Sequence, residues 1–166
     1  MNFMKKIAVV MGSDSDLEVV SKATDVLEKF GVPFEVHVFS AHRTPEEAKD
    51  LALNARRNNI GAIIAAAGMA AHLAGALAAN TTLPVVGIPV KSGAFGGFDA
   101  LLSTVQMPTG IPVATVAVDG AANAALLCIE MLAITDDGLA EKLIAYREAA
   151  TQKVLAKNLE IEKRFN

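Results

Sequence analysis

Short aliphatic runs alternate along this chain with segments in which apolar residues recur every three or four positions. The runs predict β-strands, and the helical spacing predicts helices that bury one face. The predicted strands cover residues 5–11, 34–39, 62–67, 84–88 and 113–118. The predicted helices cover residues 16–30, 45–58, 68–80, 98–105, 121–135 and 139–162.

The alternation of strand and helix indicates the class of fold. Neighbouring parallel strands need a crossover between them, and a helix is the usual crossover. We therefore predict a three-layer α/β fold, in which helices cover both faces of a parallel sheet. A chain of 166 residues suits one such domain, residues 1–166. The last helix, residues 139–162, is more charged than the others, and we expect it to pack on a neighbouring subunit.

The composition and net charge indicate which classes of binding partner to expect. Hydrophobic residues make up 52% of the chain, charged residues 20% and aromatic residues 5%. A lone domain this apolar would expose large apolar patches, so a homo-oligomer is expected. The net charge of −3 gives no electrostatic footprint for nucleic acid or for an acidic membrane. A small molecule is therefore the expected ligand.

Nothing in the hydrophobic pattern indicates export or membrane insertion. Only a short apolar stretch, residues 7–11, follows the start of the chain, so we predict neither a signal peptide nor an anchor, and a cytoplasmic location. Residues 62–79 carry no charge, but they are mostly alanine and glycine and include His72, which argues against a membrane span. The single cysteine, Cys128, has no second thiol for a disulfide or a metal cluster, and we expect it in the core.

Three polar or glycine-bearing loops follow predicted strands, at residues 12–16, 40–45 and 68–73. Ligands of open parallel sheets bind beyond the carboxyl ends of the strands, near the point where the strand order reverses. We therefore expect a binding site where these loops meet.

The first loop, Gly-Ser-Asp-Ser-Asp at 12–16, leads into a helix. Its backbone N–H groups and the helix dipole favour an anion. Ser13 could donate its hydroxyl to a phosphate, whereas Asp16 suits the hydroxyls of a sugar. The alternative is that the loop only caps the helix, because Ser15 and Glu18 have the spacing of a capping box.

The second loop, Ser-Ala-His-Arg-Thr-Pro at 40–45, places a titratable imidazole beside a guanidinium. Arg43 can hold a phosphate through paired donors, which would leave His42 close to the reacting part of the ligand. Thr44 is expected to cap the following helix and Pro45 to begin it. The alternative is that His42 and Arg43 are solvated loop residues without a ligand.

The third loop, Gly-Met-Ala-Ala-His-Leu at 68–73, opens the next predicted helix with small residues. Its N–H groups should be accessible to a carboxylate. His72 lies in this loop, and the alternative to a site residue there is a histidine that caps the helix or fills the core. Another histidine, His37, lies within a predicted strand and is assigned no role.

Together with two later stretches, these loops resemble the successive signatures of the N5-carboxyaminoimidazole ribonucleotide mutase family. The order and spacing of the motifs match from about residue 6 to residue 147. The stretches are Val-Met-Gly-Ser-Asp-Ser-Asp at 10–16, Ser-Ala-His-Arg-Thr-Pro at 40–45, Ala-Gly-Met-Ala-Ala-His-Leu at 67–73, Val-Gln-Met-Pro-Thr-Gly-Ile-Pro-Val at 105–113 and Gly-Ala-Ala-Asn-Ala-Ala-Leu-Leu at 120–127.

The resemblance implies a flavodoxin-like fold assembled as a homo-octamer, with active sites where subunits meet and with no metal or cofactor. It implies that Ser13 and Asp16 bind the ribonucleotide, that Arg43 binds its phosphate, and that His42 is the catalytic residue that moves a proton. The stretch 68–73 is implied to surround the mobile carboxylate. The further substrate-binding residues implied are Ser40, Ala41, Gly68, Ala70, His72 and Leu73.

The implied activity converts N5-carboxyaminoimidazole ribonucleotide into 4-carboxy-5-aminoimidazole ribonucleotide in de novo purine (IMP) synthesis. An aminoimidazole ribonucleotide and carbon dioxide would be the small-molecule partners. A carbamate loses carbon dioxide easily once its nitrogen is protonated, so the protein need supply only a closed pocket and a proton-transfer group. An imidazole that titrates near neutral pH suits both proton transfers, which is the role expected of His42. The chain departs from the family at Met69, commonly glycine, and Ala74, commonly proline.

Other functions remain open from the sequence. The related carboxylases take free carbon dioxide and the uncarboxylated ribonucleotide to the same product, but they typically lack the Ala-Ala-His stretch found at 70–72. A phosphoacceptor module of this fold type needs an aspartate at the end of its third strand, where this chain has Ala-Ala-Gly at 66–68. A non-catalytic paralogue is opposed by the presence of His42 and Arg43.

Overall fold

The computed structural model describes residues 4–166. Residues 1–3, where the predicted domain and the N-terminal stretch considered for targeting begin, lie outside the described residues. The strands are β1 (Lys6–Met11), β2 (Phe34–Val38), β3 (Ile60–Gly68), β4 (Val85–Val90) and β5 (Ala114–Thr115). The helices are α1 (Leu17–Phe30), α2 (Pro45–Asn54), α3 (Leu73–Ala78), α4 (Phe98–Val105), α5 (Ala121–Ala133) and α6 (Asp137–Phe165).

The strands form one parallel sheet in the order β2-β1-β3-β4-β5. The order reverses between β1 and β3, which is the arrangement of flavodoxin-like folds. Helices α1 and α5 pack on one face of the sheet, and helices α2 and α3 pack on the other. The predicted three-layer α/β fold with a long C-terminal helix is therefore confirmed.

The central strand β3 is buried on both faces. Ile64 belongs to the core beneath α1 and α5, whereas its neighbour Ile63 belongs to the core beneath α2 and α3. Both side chains are 0% exposed, and burying an isoleucine stabilises a fold by about 1.5–3 kcal/mol. A strand covered on both faces has no solvent side, which explains the unbroken apolar run predicted to be a strand.

Two predicted boundaries next to the third loop need correction. The helix predicted to open at Gly68 begins at Leu73. Gly68 is instead the last residue of β3, where it pairs with Val90 of β4. The ladder thus extends beyond the predicted end of both strands, because β4 continues the parallel pairing beside β3 as far as Gly68, whereas the pairing of β1 with β3 ends at Ala66.

Two further elements are shorter than predicted. The helix predicted over 45–58 ends at Asn54, and a turn through Asn59, with φ of 60°, leads the chain into β3. Asparagine tolerates this left-handed conformation better than most residues. The strand predicted over 113–118 is reduced to β5, which within residues 4–166 is an edge strand paired with β4 alone.

The single cysteine lies where the sequence predicts. Cys128 is 0% exposed within α5, and burial raises the pKa of its thiol to about 12. A thiol that stays protonated is a poor nucleophile and a poor metal ligand, so Cys128 serves the core. Separately, no helix within residues 4–166 combines the length and the apolar character needed to cross a bilayer.

Candidate active site

The three predicted loops meet in one cleft of about 530 Å³. Strand register brings them together, because Met11 at the end of β1 pairs with Val38 of β2 and with Ala66 of β3. The residues that follow these positions therefore emerge at the same edge of the sheet. All the predicted site residues line this cleft, namely Ser13, Asp16, Ser40, Ala41, His42, Arg43, Gly68, Ala70, His72 and Leu73.

A larger cavity of about 900 Å³ lies at the opposite edge, around Arg56, Pro84 and Pro112. Among the described residues that line it there is no histidine, cysteine or carboxylate. It therefore lacks a group for acid–base or nucleophilic chemistry, whereas the smaller cleft has two imidazoles, a carboxylate and a guanidinium. Chemistry, rather than size, identifies the cleft at the carboxyl edge as the candidate active site.

The first loop is a short 3-10 turn that precedes α1. Ser13 caps this turn by accepting hydrogen bonds from the backbone N–H of Ser15 at 3.3 Å and from the Ser15 hydroxyl at 2.9 Å. The capping box of Ser15 and Glu18, which was the alternative to a ligand site, does not form, because Asp16 takes the N-cap position of α1 and makes no capping hydrogen bond with its side chain. The carboxylate of Asp16 is left to face the cleft.

Asp16 is an acidic side chain in a largely buried position, with 8% exposure. Burial raises the pKa of its carboxyl group above the usual value, hydrogen bonds with Ser13 and Ser15 offset part of that rise, and the negative charges of Asp119 and Asp14 add to it. The raised pKa means that burial disfavours the charged form of this carboxyl group. Carboxyl groups perturbed in this way are typical of binding or catalytic positions.

The second loop is folded around Ser40 and Thr44. The hydroxyl oxygen of Ser40 accepts hydrogen bonds from the backbone N–H of His42 at 3.3 Å and of Arg43 at 3.2 Å. Thr44 stands at the N-cap of α2 without the predicted capping bond, because its hydroxyl accepts from the Ser40 N–H at 2.8 Å instead. This tight turn directs the side chains of His42 and Arg43 outward.

Two contacts join the second loop to its neighbours. Arg43 donates from Nη2 to the carbonyl oxygen of Gly12 at 3.4 Å, which links it to the first loop. His42 Nε2 lies 2.9 Å from His72 Nδ1, and the two rings meet edge to face at 73°. Both His42 and Arg43 are exposed in the single chain, so a ligand can reach them.

The third loop is not the helix opening that the sequence predicts. Its N–H groups at Ala71 and His72 donate to backbone oxygens within the loop, at 2.9 and 2.8 Å. Within the described chain, the N–H of Ala70 forms no hydrogen bond and is free for a ligand. Leu73 lines the cleft, is 2% exposed and packs in the core beneath α2 and α3.

Sequence reasoning missed Ser92 and gave Met69 no role. Both line the cleft, and Ser92 Oγ accepts a hydrogen bond from the Met69 N–H at 3.1 Å. The signal for Ser92 was its place soon after the fourth strand. That strand was predicted to end at residue 88, whereas β4 ends at Val90.

The remaining histidine lies outside the cleft. His37 is on the edge strand β2, where its Nε2 lies 3.3 Å from a carboxylate oxygen of Glu35 and its ring stacks on Phe39. Among residues 4–166, no three His, Cys, Asp or Glu side chains are grouped so that they could hold a metal ion.

Comparison with known proteins places these features in a family. Residues 6–153 match the family model described as AIR carboxylase. The N5-carboxyaminoimidazole ribonucleotide mutase of Pyrococcus abyssi is 57% identical over 145 residues, covering 87% of this chain and 83% of that protein. The corresponding mutase of Methanocaldococcus jannaschii is 49% identical, covering 96% of this chain and 99% of that protein.

A solved structure agrees with the sequence relatives. The crystal structure of Treponema denticola PurE superposes with a TM-score of 0.86 at 27% identity, covering 94% of this chain and 98% of that one. This chain belongs to the AIR carboxylase family.

Proposed function

We propose that this chain is an N5-carboxyaminoimidazole ribonucleotide mutase, an isomerase that forms 4-carboxy-5-aminoimidazole ribonucleotide in de novo purine synthesis. The observation that carries the proposal is the convergence of His42, Arg43 and the 68–73 loop in one cleft. Relatives that this chain covers over 83% and 99% of their own length carry the mutase name, which supports the same activity here.

The nucleotide end of the substrate would lie over the first and second loops. Arg43 is the permanent cation among the residues that line the cleft, and its guanidinium can bind a phosphate through two parallel hydrogen bonds. Ser13 adds a hydroxyl donor beside it. Asp16 accepts hydrogen bonds from the ribose hydroxyls, which favours a neutral sugar rather than a second anion near the buried carboxylate.

The base and its carboxylate would lie over the third loop. The free N–H of Ala70 and the hydroxyl of Ser92 can donate to the carboxylate, while Gly68 and Ala41 leave room for it. These donors are neutral, so they would hold carbon dioxide weakly once it forms. Weak binding suits an intermediate that must react again at a neighbouring carbon.

The reaction needs one proton to be donated to the substrate and one proton to be removed from it later. His42 donates a proton to N5 as the bond from N5 to the carboxylate carbon breaks, and the electron pair of that bond remains on N5. The freed aminoimidazole attacks carbon dioxide from its C4 atom, which forms the new carbon–carbon bond. His42 then removes the proton from C4, so that substrate and product carry the same number of protons. Once neighbouring copies close the cleft, it keeps carbon dioxide beside C4.

The cleft of a single chain is open, which favours completion by neighbouring copies. Met69 at its rim is 63% exposed. The second half of α6 also presents unpartnered apolar side chains, at Val154, Leu155, Leu159, Ile161 and Phe165. We infer that α6 packs on a neighbouring subunit of a homo-octamer in the cytoplasm and that all of residues 1–166 form one mutase domain. Leu159→Glu should then lower the mass measured by light scattering, and an unchanged mass would contradict this packing.

The deciding experiment offers the purified protein two substrates. A mutase converts N5-carboxyaminoimidazole ribonucleotide in the absence of bicarbonate, and it keeps a ¹³C label of the carbamate in the product when unlabelled bicarbonate is added. Product formed only from aminoimidazole ribonucleotide and bicarbonate would instead support a carboxylase, the name carried by a Saccharomyces cerevisiae relative of which this chain covers 27%. Product from neither substrate would contradict an enzymatic role.

A further inference from the structure

Two imidazoles that lie 30 positions apart in the sequence form a direct hydrogen bond in the cleft. His42 belongs to the turn after β2, and His72 occupies the position before the first residue of α3. His42 Nε2 and His72 Nδ1 are 2.9 Å apart, with the ring centroids at 5.1 Å. Within residues 4–166, His42 Nδ1 and His72 Nε2 form no hydrogen bond. One nitrogen of each ring is therefore committed to the other ring and one is available.

Proton counting limits what such a pair can do. The bond requires one proton between the two inner nitrogens, since a neutral imidazole has one donor and one acceptor. If both inner nitrogens carried protons, two N–H groups would face each other and the bond would break. The bonded pair therefore exists in a neutral form and in a form with one extra proton, and the two differ by a single proton on an outer nitrogen.

The direction of the bond follows from the reaction, so this step rests on the proposed function. Before His42 protonates the substrate nitrogen, it must carry protons on both ring nitrogens. Its Nε2–H can then only donate, so His72 Nδ1 accepts. After the Nδ1 proton of His42 has moved to the substrate, the same Nε2–H···Nδ1 bond persists without any rotation of either ring.

We propose that His72 is a positioning residue for proton transfer. The Nδ1 atom of His72 accepts the hydrogen bond from the Nε2–H of His42, which fixes the tautomer of His42. The Nδ1 atom of His42 is then the one that donates a proton to the substrate and later accepts one from it. Without this bond the ring of His42 can rotate, and either nitrogen can carry the single proton of the neutral form. When the proton must be removed from C4, Nδ1 of His42 is then not always the unprotonated nitrogen that can accept it.

Two substitutions at His72 separate this role from a merely structural one. His72→Asn can place an amide oxygen near the position of Nδ1 and keep an acceptor for His42. His72→Leu fills similar space without an acceptor. We expect His72→Leu to lower kcat about tenfold, the usual effect of losing a hydrogen bond to a charged partner, with little change in the Kd for aminoimidazole ribonucleotide. His72→Asn should recover most of that loss.

A spectroscopic measurement tests the bond independently of activity. The ¹⁵N shifts of labelled histidine distinguish Nε2–H from Nδ1–H tautomers of a neutral ring. The wild-type protein should have His42 as the Nε2–H tautomer, and His72→Leu should give a mixture. An Nδ1–H tautomer in the wild type, or wild-type kcat in a folded His72→Leu variant, would overturn the proposal. If the wild type lacks mutase activity but has the Nε2–H tautomer, the proposed function fails while the hydrogen bond stands.

Discussion

The backbone N–H of Met69 donates a 3.1 Å hydrogen bond to the hydroxyl oxygen of Ser92. Met69 lies in the turn after β3, and Ser92 lies two residues after the end of β4. The bond therefore connects the ends of these two strands at the carboxyl edge of the sheet. A β-carbon on Gly68 would lie 2.6 Å from the same oxygen, so the close approach requires glycine. Because Ser92 accepts with its oxygen, its own proton remains available to a carboxylate in the cleft.

The first prediction concerns this serine. Ser92→Ala should destabilise the protein by about 1 kcal/mol, because the Met69 N–H loses its acceptor, and it should also raise KM for the carboxylated substrate. The free energy of unfolding in urea and steady-state kinetics measure the two effects. Ser103→Ala is a matched control, since Ser103 also makes a hydrogen bond to the backbone, with Asp99 at 2.8 Å, but lies outside the cleft. Equal KM values for both variants would contradict a role for Ser92 in the cleft.

The second prediction concerns backbone strain at the position where the family commonly has glycine. Met69 has φ of 52°, a left-handed conformation that costs a residue with a β-carbon roughly 1–2 kcal/mol. Met69→Gly removes this cost but adds the chain entropy of glycine, about 0.5–1 kcal/mol. The net expectation is a stabilisation of up to about 1.5 kcal/mol, with the middle of the range at about 0.75 kcal/mol.

The control for this variant is Met69→Ala, which removes the exposed side chain but keeps the β-carbon. It should not be stabilised. If thermal unfolding gave the same Tm for Met69→Gly and Met69→Ala, the stabilisation could not be attributed to the backbone.

The third prediction follows from the buried carboxyl group of Asp16. Burial raises its folded pKa above 3.8, so the folded state holds this proton more tightly than the unfolded state. The contribution to stability is therefore present below the unfolded pKa and is lost as the pH rises through the folded pKa. Asp16→Asn carries no charge to bury, and we expect it to be more stable than the wild type at pH 7.

Urea unfolding across the acidic range measures this effect. The advantage of Asp16→Asn should shrink as the pH falls toward 3.8, and the variant should bind the ribonucleotide more weakly because it loses a charged acceptor. Asp25→Asn, at an exposed position of α1, should show neither effect. A variant at Asp16 that is less stable than the wild type at pH 7 would mean that the carboxylate is held by favourable contacts.

The fourth prediction separates binding from chemistry at Arg43. Arg43→Ala should weaken the binding of phosphorylated ligands about tenfold to a hundredfold, because a hydrogen bond to a charged group contributes about 1.5–3 kcal/mol. Isothermal titration with aminoimidazole ribonucleotide measures the loss. Arg56→Ala removes a guanidinium from the opposite edge of the sheet and should leave the affinity unchanged. An equal effect of both variants would indicate general electrostatics rather than a phosphate contact.

The sequence predicted the architecture because its physical signals are local. The unbroken apolar run of β3 and the regular apolar spacing of α1 each reflect burial that one segment reveals by itself. The alternation of strands and helices then leaves few arrangements for a parallel sheet. The position of the site followed from the same topology, since Ser13, His42 and His72 were each placed at the carboxyl end of a strand.

The contacts within the cleft were not predictable because they join distant segments. No local pattern distinguishes the turn at Met69 from a helix start; the difference arises from β4, which extends β3, and from Ser92, which binds the turn. The bond between His42 and His72 likewise depends on the spacing of two strands separated by β1 in the sheet. Short loops take their conformation from such tertiary partners, so their sequences alone underdetermine them.

The most direct measurement compares turnover and binding in His42→Asn, with His37→Asn as a control of the same substitution outside the cleft. If His42 moves the proton, His42→Asn should bind aminoimidazole ribonucleotide with nearly wild-type Kd and lose at least about a hundredfold in kcat, the usual share of general acid–base catalysis, while His37→Asn stays active. Mutase activity in His42→Asn close to that of the wild type would contradict the account.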